Sequence, residues 1–312
     1  MTNDYAVASR DELWSGGALL ESRLTHGRAR LLGDAIDADD ARDDALIAIC
    51  ERRFDEVRKV MASLGPLRQR GVVEAVREGG RISESSTLTI AFGGVSIVTT
   101  PEHATGDAAM LRALLAIAPT VTPDIAPLGA VDPRKHPIVW RNGSAAVLFH
   151  EAAGHAAEHA HATIEWPSWL RVIDVGRGGE ANLLGGEEPR ARRRTSFRDV
   201  PLPRMTRLVA EQRGAPFELP DSRIEVHLIA GGSYEPLTEE VVLRVAVADL
   251  VEGSGSRRLE PFEFRAGRRE LAAAIAGASG EPLRYPGVIC SREGQELVVG
   301  SFAPVVVTRE LG

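Results

Sequence analysis

The sequence is poor in cysteine and has no long apolar run. Its 312 residues include two cysteines, Cys50 and Cys290, which are too few for a disulfide framework and fit a reducing compartment. No stretch of about 18 or more apolar residues occurs, so no transmembrane helix is expected. The amino terminus lacks the basic and apolar segments of a secretory signal. These absences predict a cytoplasmic protein without a membrane partner.

An excess of positive charge is also absent. Lys and Arg number 37 against 44 Asp and Glu, which gives a net charge of −7 and no global attraction to nucleic acid. Residues 190–194 hold four arginines, but neither interleaved aromatic residues nor a basic partner helix accompanies them. We therefore expect no nucleic-acid partner, and catalysis on small molecules or peptides stays open.

Three common signatures are missing as well. The sequence shows no internal repeat, no glycine-rich phosphate loop after a strand and no Gly-x-Ser-x-Gly turn. A repeat array, a nucleotide-phosphate loop and a serine nucleophile of that type are therefore not expected.

The pattern of the first half predicts an α/β domain. Residues 1 to about 40 are loosely patterned and end in an acidic run, Asp34–Asp40, which is either a cap for the next helix or a solvated loop. Helical spacing of apolar residues puts Cys50 in a core, and Gly93-Gly94 has the composition of a hairpin turn. The predicted elements are helices at Asp44–Leu64 and Asp107–Ala118 and strands at Thr87–Phe92 and Val95–Thr99.

The second half is predicted to be mostly antiparallel sheet, which makes the whole chain α+β. A proline-punctuated connection, Pro119–Pro137, divides a domain of residues 1–136 from one of residues 137–312. Ser144 is a candidate N-cap for a helix from Ala145 to about Ala162, and a short helix is expected near Arg268–Ala276. Strand-like runs occur at Ile224–Ile229, Val241–Leu250, Pro261–Phe264, Glu296–Val299 and Pro304–Thr308.

The segment from His150 to His155 combines two imidazoles and a carboxylate, Glu151, within six residues. Such residues in an apolar helix are typical of a metal site, but zinc hydrolases usually space their histidines at i and i+4. At about 100° per residue, i and i+5 lie roughly 140° apart, too far to share an ion. A single π-type turn, eased by Gly154, would bring the two histidines into line.

The residues alone leave two alternatives open. His155, Glu158 and His159 spell the inverted zincin order at ideal i, i+4 spacing, and in that register His150 and Glu151 would have supporting roles. The histidines, including His161 near the helix end, could equally be solvated or satisfied by hydrogen bonds. Cys290 has turn residues on both sides, which predicts a loop thiol that is available as a ligand.

Four motifs in order resemble a known family. They are His150–Glu158, Phe197–Thr206, Gly231–Pro236 and Gly287–Gln295, and across about residues 140–310 they look like the successive motifs of the TldD/PmbA metallopeptidases. The resemblance implies a zinc ion, Zn²⁺, held by His150, His155 and Cys290, with the fourth position left for water. It also implies that Glu151 is the general base that takes a proton from the attacking water.

The resemblance extends to weaker site residues. Glu158 either orients an imidazole or is a solvent-facing glutamate of the helix, and the residues leave both open. His159, Arg198 and Arg204 are expected to support the ligands or to contact the substrate. Two departures stand against a complete match: Ser291 replaces the family's usual glycine after the cysteine, and the region before His150 is shorter than in most members.

The function implied is zinc-dependent hydrolysis of unstructured peptides or peptide-like biosynthetic intermediates. The protein would work as a homodimer or as a heterodimer with a related TldE/PmbA-like subunit, in which this chain is the catalytic, TldD-like partner. The alternatives are a non-catalytic peptide-binding or regulatory subunit and a metal-dependent amidohydrolase that acts on a small metabolite.

Overall fold

Strands dominate both halves of the chain. The computed structural model describes residues 4–32, 35–40, 42–78, 81–92, 95–117, 131–176, 178–195, 199–214, 217 and 219–312. The chain divides into an amino-terminal unit and a carboxyl-terminal unit. The amino-terminal unit comprises Met1–Arg112, Arg193–Leu202 and Ile289–Val298, and the carboxyl-terminal unit comprises Ala113–Arg192, Pro203–Val288 and Val299–Gly312.

The first eight elements are strands and two helices. Their bounds are β1 Asp4–Ser15, β2 Ala18–Leu32, β3 Ala35–Asp39, α1 Asp44–Ser63, β4 Arg68–Glu78, β5 Arg81–Phe92, β6 Val95–Thr99 and α2 Ala104–Ile117. The six strands form antiparallel pairs in the order β3-β2-β1-β4-β5-β6. The predicted hairpin is confirmed, since Phe92 pairs with Val95. Its turn, Gly93-Gly94, lies outside the described residues.

Helix α1 packs on this sheet through the apolar stripe that its spacing predicts. The buried positions recur every three or four residues, so they share one face of the helix. Gly71 on β4 permits close approach, because a Cβ there would lie 2.9 Å from the Met61 Sδ. The stripe comprises Leu46, Ile47, Cys50, Phe54, Val57 and Met61.

The first 40 residues differ from the expectation of loose structure, because β1, β2 and β3 occupy most of them. The acidic run does not cap α1: the N-cap is Asp43, whose carboxylate accepts a hydrogen bond from the Leu46 N–H at 3.1 Å. Residues 35–39 of the run form β3, and Asp34 lies outside the described residues.

The rest of the chain, from residue 131 onward, is built mainly from strands, and the longest of them hold 13 to 18 residues. After a short 3₁₀ helix at Pro133–Lys135 come β7 Ile138–Trp140, α3 Ala145–Phe149, a π-helix His150–His155, α4 Ala156–Glu158, β8 Leu170–Gly176 and β9 Gly179–Asn182. The strands that follow are β10 Arg192–Arg193, β11 Leu202–Pro203, β12 Arg207–Gln212, β13 Ser222–Glu235, β14 Glu240–Glu252, β15 Gly255–Arg258 and β16 Phe262–Gly267. The chain ends with α5 Arg268–Ala274, β17 Ile275–Arg292 and β18 Gln295–Thr308.

The sheet of the carboxyl-terminal unit runs β15-β14-β13-β7-β18, in which β18 pairs with β7 through Val306–Thr308. Its pairs are antiparallel except that β7 runs parallel to β13 and β12 runs parallel to β18. The predicted α+β class with a mostly antiparallel second half is confirmed. Two predicted strands, Glu296–Val299 and Pro304–Thr308, belong to the single strand β18, and the short helix ends at Ala274 rather than Ala276.

The predicted domain boundary between residues 136 and 137 stays a prediction, because residues 118–130 of the connection lie outside the described part of the chain. Among the residues that the structure describes, no helix combines the length and the hydrophobicity that crossing a bilayer requires.

Candidate metal centre

One continuous helix carries the histidine motif. It begins at Ala145 and ends at Glu158, four residues before the expected end at Ala162, and Ala160 then adopts a left-handed φ of 52°. Ser144 occupies the N-cap position but makes no capping hydrogen bond, since its hydroxyl donates to the Val226 carbonyl at 3.3 Å. The helix is therefore fixed by burial: every residue from Ala145 to Gly154 is buried.

The centre of this helix is the π-helix His150–His155, which confirms the distortion that the i+5 spacing predicts. A turn that closes i to i+5 places both histidines on the same side. Their ring centroids are 5.0 Å apart, with an angle of 86° between the ring planes. The unusual spacing is thus compatible with a shared ligand.

Gly154 permits a close contact on this turn. A Cβ at this position would lie 2.0 Å from the Sδ of Met205, which is fully buried. Met205 therefore packs directly on the backbone of the π-helix. The glycine is favoured by the space that Met205 occupies and not by backbone strain, because its φ is not in the left-handed region.

Gly154→Ala is expected to weaken metal binding and to destabilise the fold by about 1–3 kcal/mol, the usual cost of overpacking a core. Met205→Ala in the same chain should restore metal affinity, because it removes the atoms with which the new methyl collides. Metal titration and denaturant unfolding of both variants test this. An affinity of Gly154→Ala equal to that of the wild type would contradict the steric explanation.

His150 is a buried imidazole with unsatisfied nitrogens. Both Nδ1 and Nε2 are buried and lack a hydrogen-bond partner among the described residues. Burial, then the neighbouring His155 and Arg204, hold the pKa of His150 well below its ordinary value, so the ring is neutral. A buried polar group without a partner costs about 1–3 kcal/mol. A neutral imidazole with an open nitrogen is the form that binds a metal.

His155 is oriented by Glu158 one turn further along. Its Nδ1 lies 3.1 Å from the Glu158 Oε2, and the other oxygen of that carboxylate accepts a hydrogen bond from the Met205 N–H at 2.9 Å. Burial alone would raise the pKa of Glu158, but the His155 contact and the Met205 hydrogen bond lower it overall. An ionised Glu158 fixes the His155 tautomer with the proton on Nδ1, so the lone pair is on Nε2.

Cys290 completes a set of atoms that could hold a metal ion. The expectation that it lies in a loop is wrong, because it belongs to β17. Val288 and Cys290 are buried and Ile289 between them is exposed, the alternation of a strand. One ligand atom each from His150, His155 and Cys290 lie within 4.8 Å of one another.

This donor set fits zinc. Two imidazole nitrogens and one sulfur are typical zinc ligands, and three protein ligands leave a fourth position open. With Zn–N and Zn–S bonds of about 2.0 and 2.3 Å, tetrahedral ligand atoms lie roughly 3.3–3.5 Å apart, so the side chains would have to draw together by up to about 1.5 Å around the ion. The orphaned nitrogens of His150 give the same indication independently.

No protein-family model matches the chain, and no curated protein matches its sequence. Among solved structures, TldE from Thermococcus kodakarensis aligns over 98% of this chain and 96% of its own, with a TM-score of 0.51 and 10% identity. The chain has the fold of TldE. A protein from Thermotoga maritima, described as a proposed modulator of a DNA gyrase, is similar at a TM-score of 0.51 and 11% identity, over 99% of this chain and 94% of its own. The similarity to TldE therefore extends over the first 140 residues or so, which the sequence motifs do not cover.

Glu151 lies beside the ligands on this TldE-like fold. It is buried, and its Oε2 is 3.6 Å from the His155 Nε2. Burial and the nearby Glu158 raise the pKa of Glu151 to about 7, against the opposing effect of His155 and Arg244. The carboxylate rests on the backbone of β13, because a Cβ on Gly232 would lie 2.6 Å from its Oε1.

The remaining expected residues occupy different positions. Arg204 is fully buried, with its Nε 3.6 Å from the Glu158 Oε1, so it supports that carboxylate. His159 is outside the group of metal-binding atoms, and its ring contacts His161 and Tyr234. Arg198 lies outside the described residues.

Two neighbours of the site received no role from the sequence. Gly232 contacts Glu151, and the Tyr234 hydroxyl lies 3.0 Å from the His161 Nδ1. Both belong to the Gly231–Pro236 motif, whose resemblance marked the segment without saying what it touches. Their spacing in the sequence could have identified them, because residues two positions apart in a strand, such as Gly232 and Tyr234 of β13, lie on the same face.

Proposed function

We propose that the protein is a zinc-dependent peptidase of TldD/PmbA type, with His150, His155 and Cys290 as ligands and Glu151 as general base. The observation that carries the proposal is that two imidazole nitrogens and a sulfur lie within 4.8 Å of one another. One of these nitrogens belongs to His150, whose buried ring makes no hydrogen bond among the described residues. Composition and fold alone would not support a reaction class. The TldE-like fold supports the family, because the similarity covers 98% of the chain, and the part that holds the four motifs is most of it.

The polar side chains around the candidate metal centre each have a role in this proposal. Glu151 accepts a proton from the attacking water and later returns it to the leaving amine. A pKa near 7, raised by burial, suits both transfers at neutral pH. His155 is held in one tautomer by Glu158, and Arg204 supports Glu158 in turn. Zinc bound here would polarise the peptide carbonyl and acidify water.

The proposed substrate is an extended, unstructured peptide. A sheet edge can bind such a chain by main-chain hydrogen bonds, which makes recognition tolerant of sequence. Within the described residues, β9 pairs with β8 alone and so presents an edge. The proposed cellular location is the cytoplasm, and the proposed assembly is a dimer with itself or with a related subunit, which light scattering tests.

Metal analysis and a substrate screen test the function together. The purified protein should contain about one zinc per chain, as a three-ligand site requires. It should then cleave unstructured peptides but not acylated amines, which represent the small-metabolite alternative. The absence of any bound divalent ion at neutral pH would overturn the catalytic proposal.

The second candidate is a non-catalytic peptide-binding subunit. The similarity to TldE favours it, because the resemblance places TldE-like chains among the partner subunits. The ligand set argues against it. A protein that holds zinc and binds extended peptides, yet cleaves none alone or with a related subunit, would establish this alternative.

A further inference from the structure

Arg268, which like Arg204 is a buried arginine, contacts the backbone of the helix Ala145–Glu158 that carries the histidine motif. Arg268 is the first residue of α5 and is 2% exposed. Its Nε donates to the Ala152 carbonyl at 2.9 Å, and its Nη1 donates to the Ala162 carbonyl at 3.0 Å. One guanidinium therefore joins the π-helix to the chain that follows the helix.

The acceptor on the π-helix is significant because Ala152 lies between the two histidines. When one turn closes i to i+5 instead of i to i+4, the ladder of backbone hydrogen bonds is disturbed at that turn. Side chains that insert into this ladder are a known cause of local helix distortion, and the Arg268 guanidinium donates into it at Ala152. The rigid fork of an arginine suits this purpose, since it can donate to two acceptors at once.

Burying an arginine side chain is energetically unfavourable. Removing a cation from water costs several kcal/mol, and an apolar residue of similar volume is often as stable or better. The carboxylate that pairs with it, Glu239, has its Oε1 3.9 Å from Nη1, which is too far for a hydrogen bond. Within the described part of the chain, the carbonyls of Ala152 and Ala162 are thus the acceptors of its side-chain hydrogen bonds.

Glu239 holds Arg268 from the other side. Its carbonyl accepts the Arg268 backbone N–H at 2.9 Å, and its Oε1 lies 3.1 Å from the His161 Nδ1. Glu239 adopts a left-handed φ of 53°, which is unusual for a residue other than glycine. The position of Arg268 is therefore defined from two directions.

We propose that Arg268 is a positioning residue that holds the π-turn and so places His150 and His155 on one side of the helix before any metal binds. This inference rests on the proposed metal site for its functional meaning. Without the guanidinium, the segment would be free to return to regular α-geometry, in which the two histidines point roughly 140° apart. The role is structural in its contacts and functional in its effect on metal affinity.

Three variants test the role: Arg268→Met, Arg268→Lys and Arg269→Met. Arg269 is the adjacent, exposed residue of α5, so its variant matches the loss of charge and of side-chain size. Cobalt(II) titration gives the affinity, and the visible spectrum of bound cobalt reports the ligand geometry. Amide hydrogen exchange over residues 150–158, measured after chelation, reports the π-turn in the metal-free protein.

Arg268→Met should weaken cobalt binding by about 10- to 100-fold, the usual loss when a partner that orients ligands is removed. It should also alter the cobalt spectrum and increase exchange over residues 150–158. Arg268→Lys should restore part of both, since one ammonium can still donate to a carbonyl, and it serves alone if Arg268→Met does not fold. Arg269→Met should behave as the wild type.

Different results would contradict the positioning role of Arg268 and the proposed function. If the wild type binds cobalt and Arg268→Met binds it with the same affinity and spectrum, the positioning role is wrong. If the wild type binds no cobalt, the proposed function fails, and hydrogen exchange in the metal-free protein decides the inference. Unchanged protection over residues 150–158 in the Arg268 variants would then overturn it.

Discussion

Glu151→Gln should retain zinc and lose peptide hydrolysis, with kcat falling by about 10²- to 10⁴-fold, the range that a general base contributes. Glutamine has nearly the shape of glutamate, so the contact with Gly232 and the burial of the side chain would be kept. It cannot accept a proton. Zinc content and steady-state hydrolysis of an unstructured peptide measure the two halves of this result.

Glu158→Gln provides the matched comparison, because Glu158 is a second buried glutamate on the same helix. Its carboxylate orients His155, so its loss should lower zinc affinity by about 10- to 100-fold and spare kcat at saturating zinc. The two variants thus separate proton transfer from ligand orientation. If Glu151→Gln hydrolysed peptide at the wild-type rate with zinc bound, Glu151 would not be the base.

Cys290→Ala should lower zinc affinity by more than the roughly 100-fold upper limit seen for residues that only orient ligands. The variant removes one of three ligand atoms, and two imidazoles alone leave half of a tetrahedral shell to water. Competition with a chelator of known affinity gives the change. Zinc should also protect the Cys290 thiol from alkylation in the wild type.

Cys50→Ala is the control for this experiment. Cys50 is equally buried, but its thiol donates to the Val73 carbonyl at 3.3 Å, and burial raises its pKa to about 11. Such a thiol is neither a ready ligand nor reactive. Cys50→Ala should therefore change stability without changing zinc affinity. An equal loss of zinc in both cysteine variants would indicate general unfolding and would exclude a specific ligand role for Cys290.

Local periodicity in the sequence is sufficient to predict the helices and strands that bury a single face. The apolar stripe of α1 and the hairpin of β5 and β6 are examples, since each is defined by neighbours within a few residues. Strand β1 was missed because its pattern is broken by Glu12, a buried carboxylate. That residue accepts hydrogen bonds from Arg58, 46 positions away, and no local pattern records such a partner.

In the candidate metal centre, too, local sequence patterns predict only part of the structure. The spacing of His150 and His155 predicted the π-turn, because geometry forbids the alternative for two residues that share an ion. The role of Cys290 depended on resemblance, since its alternating strand was hidden by the flanking proline and glycine. Arg268 and Arg269 are adjacent and identical in type, yet one is buried and the other exposed. Only the fold distinguishes them.

The π-helix also has a consequence for how the gene can change length. A turn that closes i to i+5 contains one residue more than an α-turn, so the helix on either side keeps the rotation of a regular helix. A one-codon deletion of Ala152 or Ala153 would therefore shorten the motif to i, i+4 spacing, keep Gly154 against Met205 and leave the faces of Leu148 and Ala157 in phase. A deletion elsewhere in the helix would rotate one flank by about 100° relative to the other. This turn is the one place in the helix where a codon can be lost without turning its buried face outward.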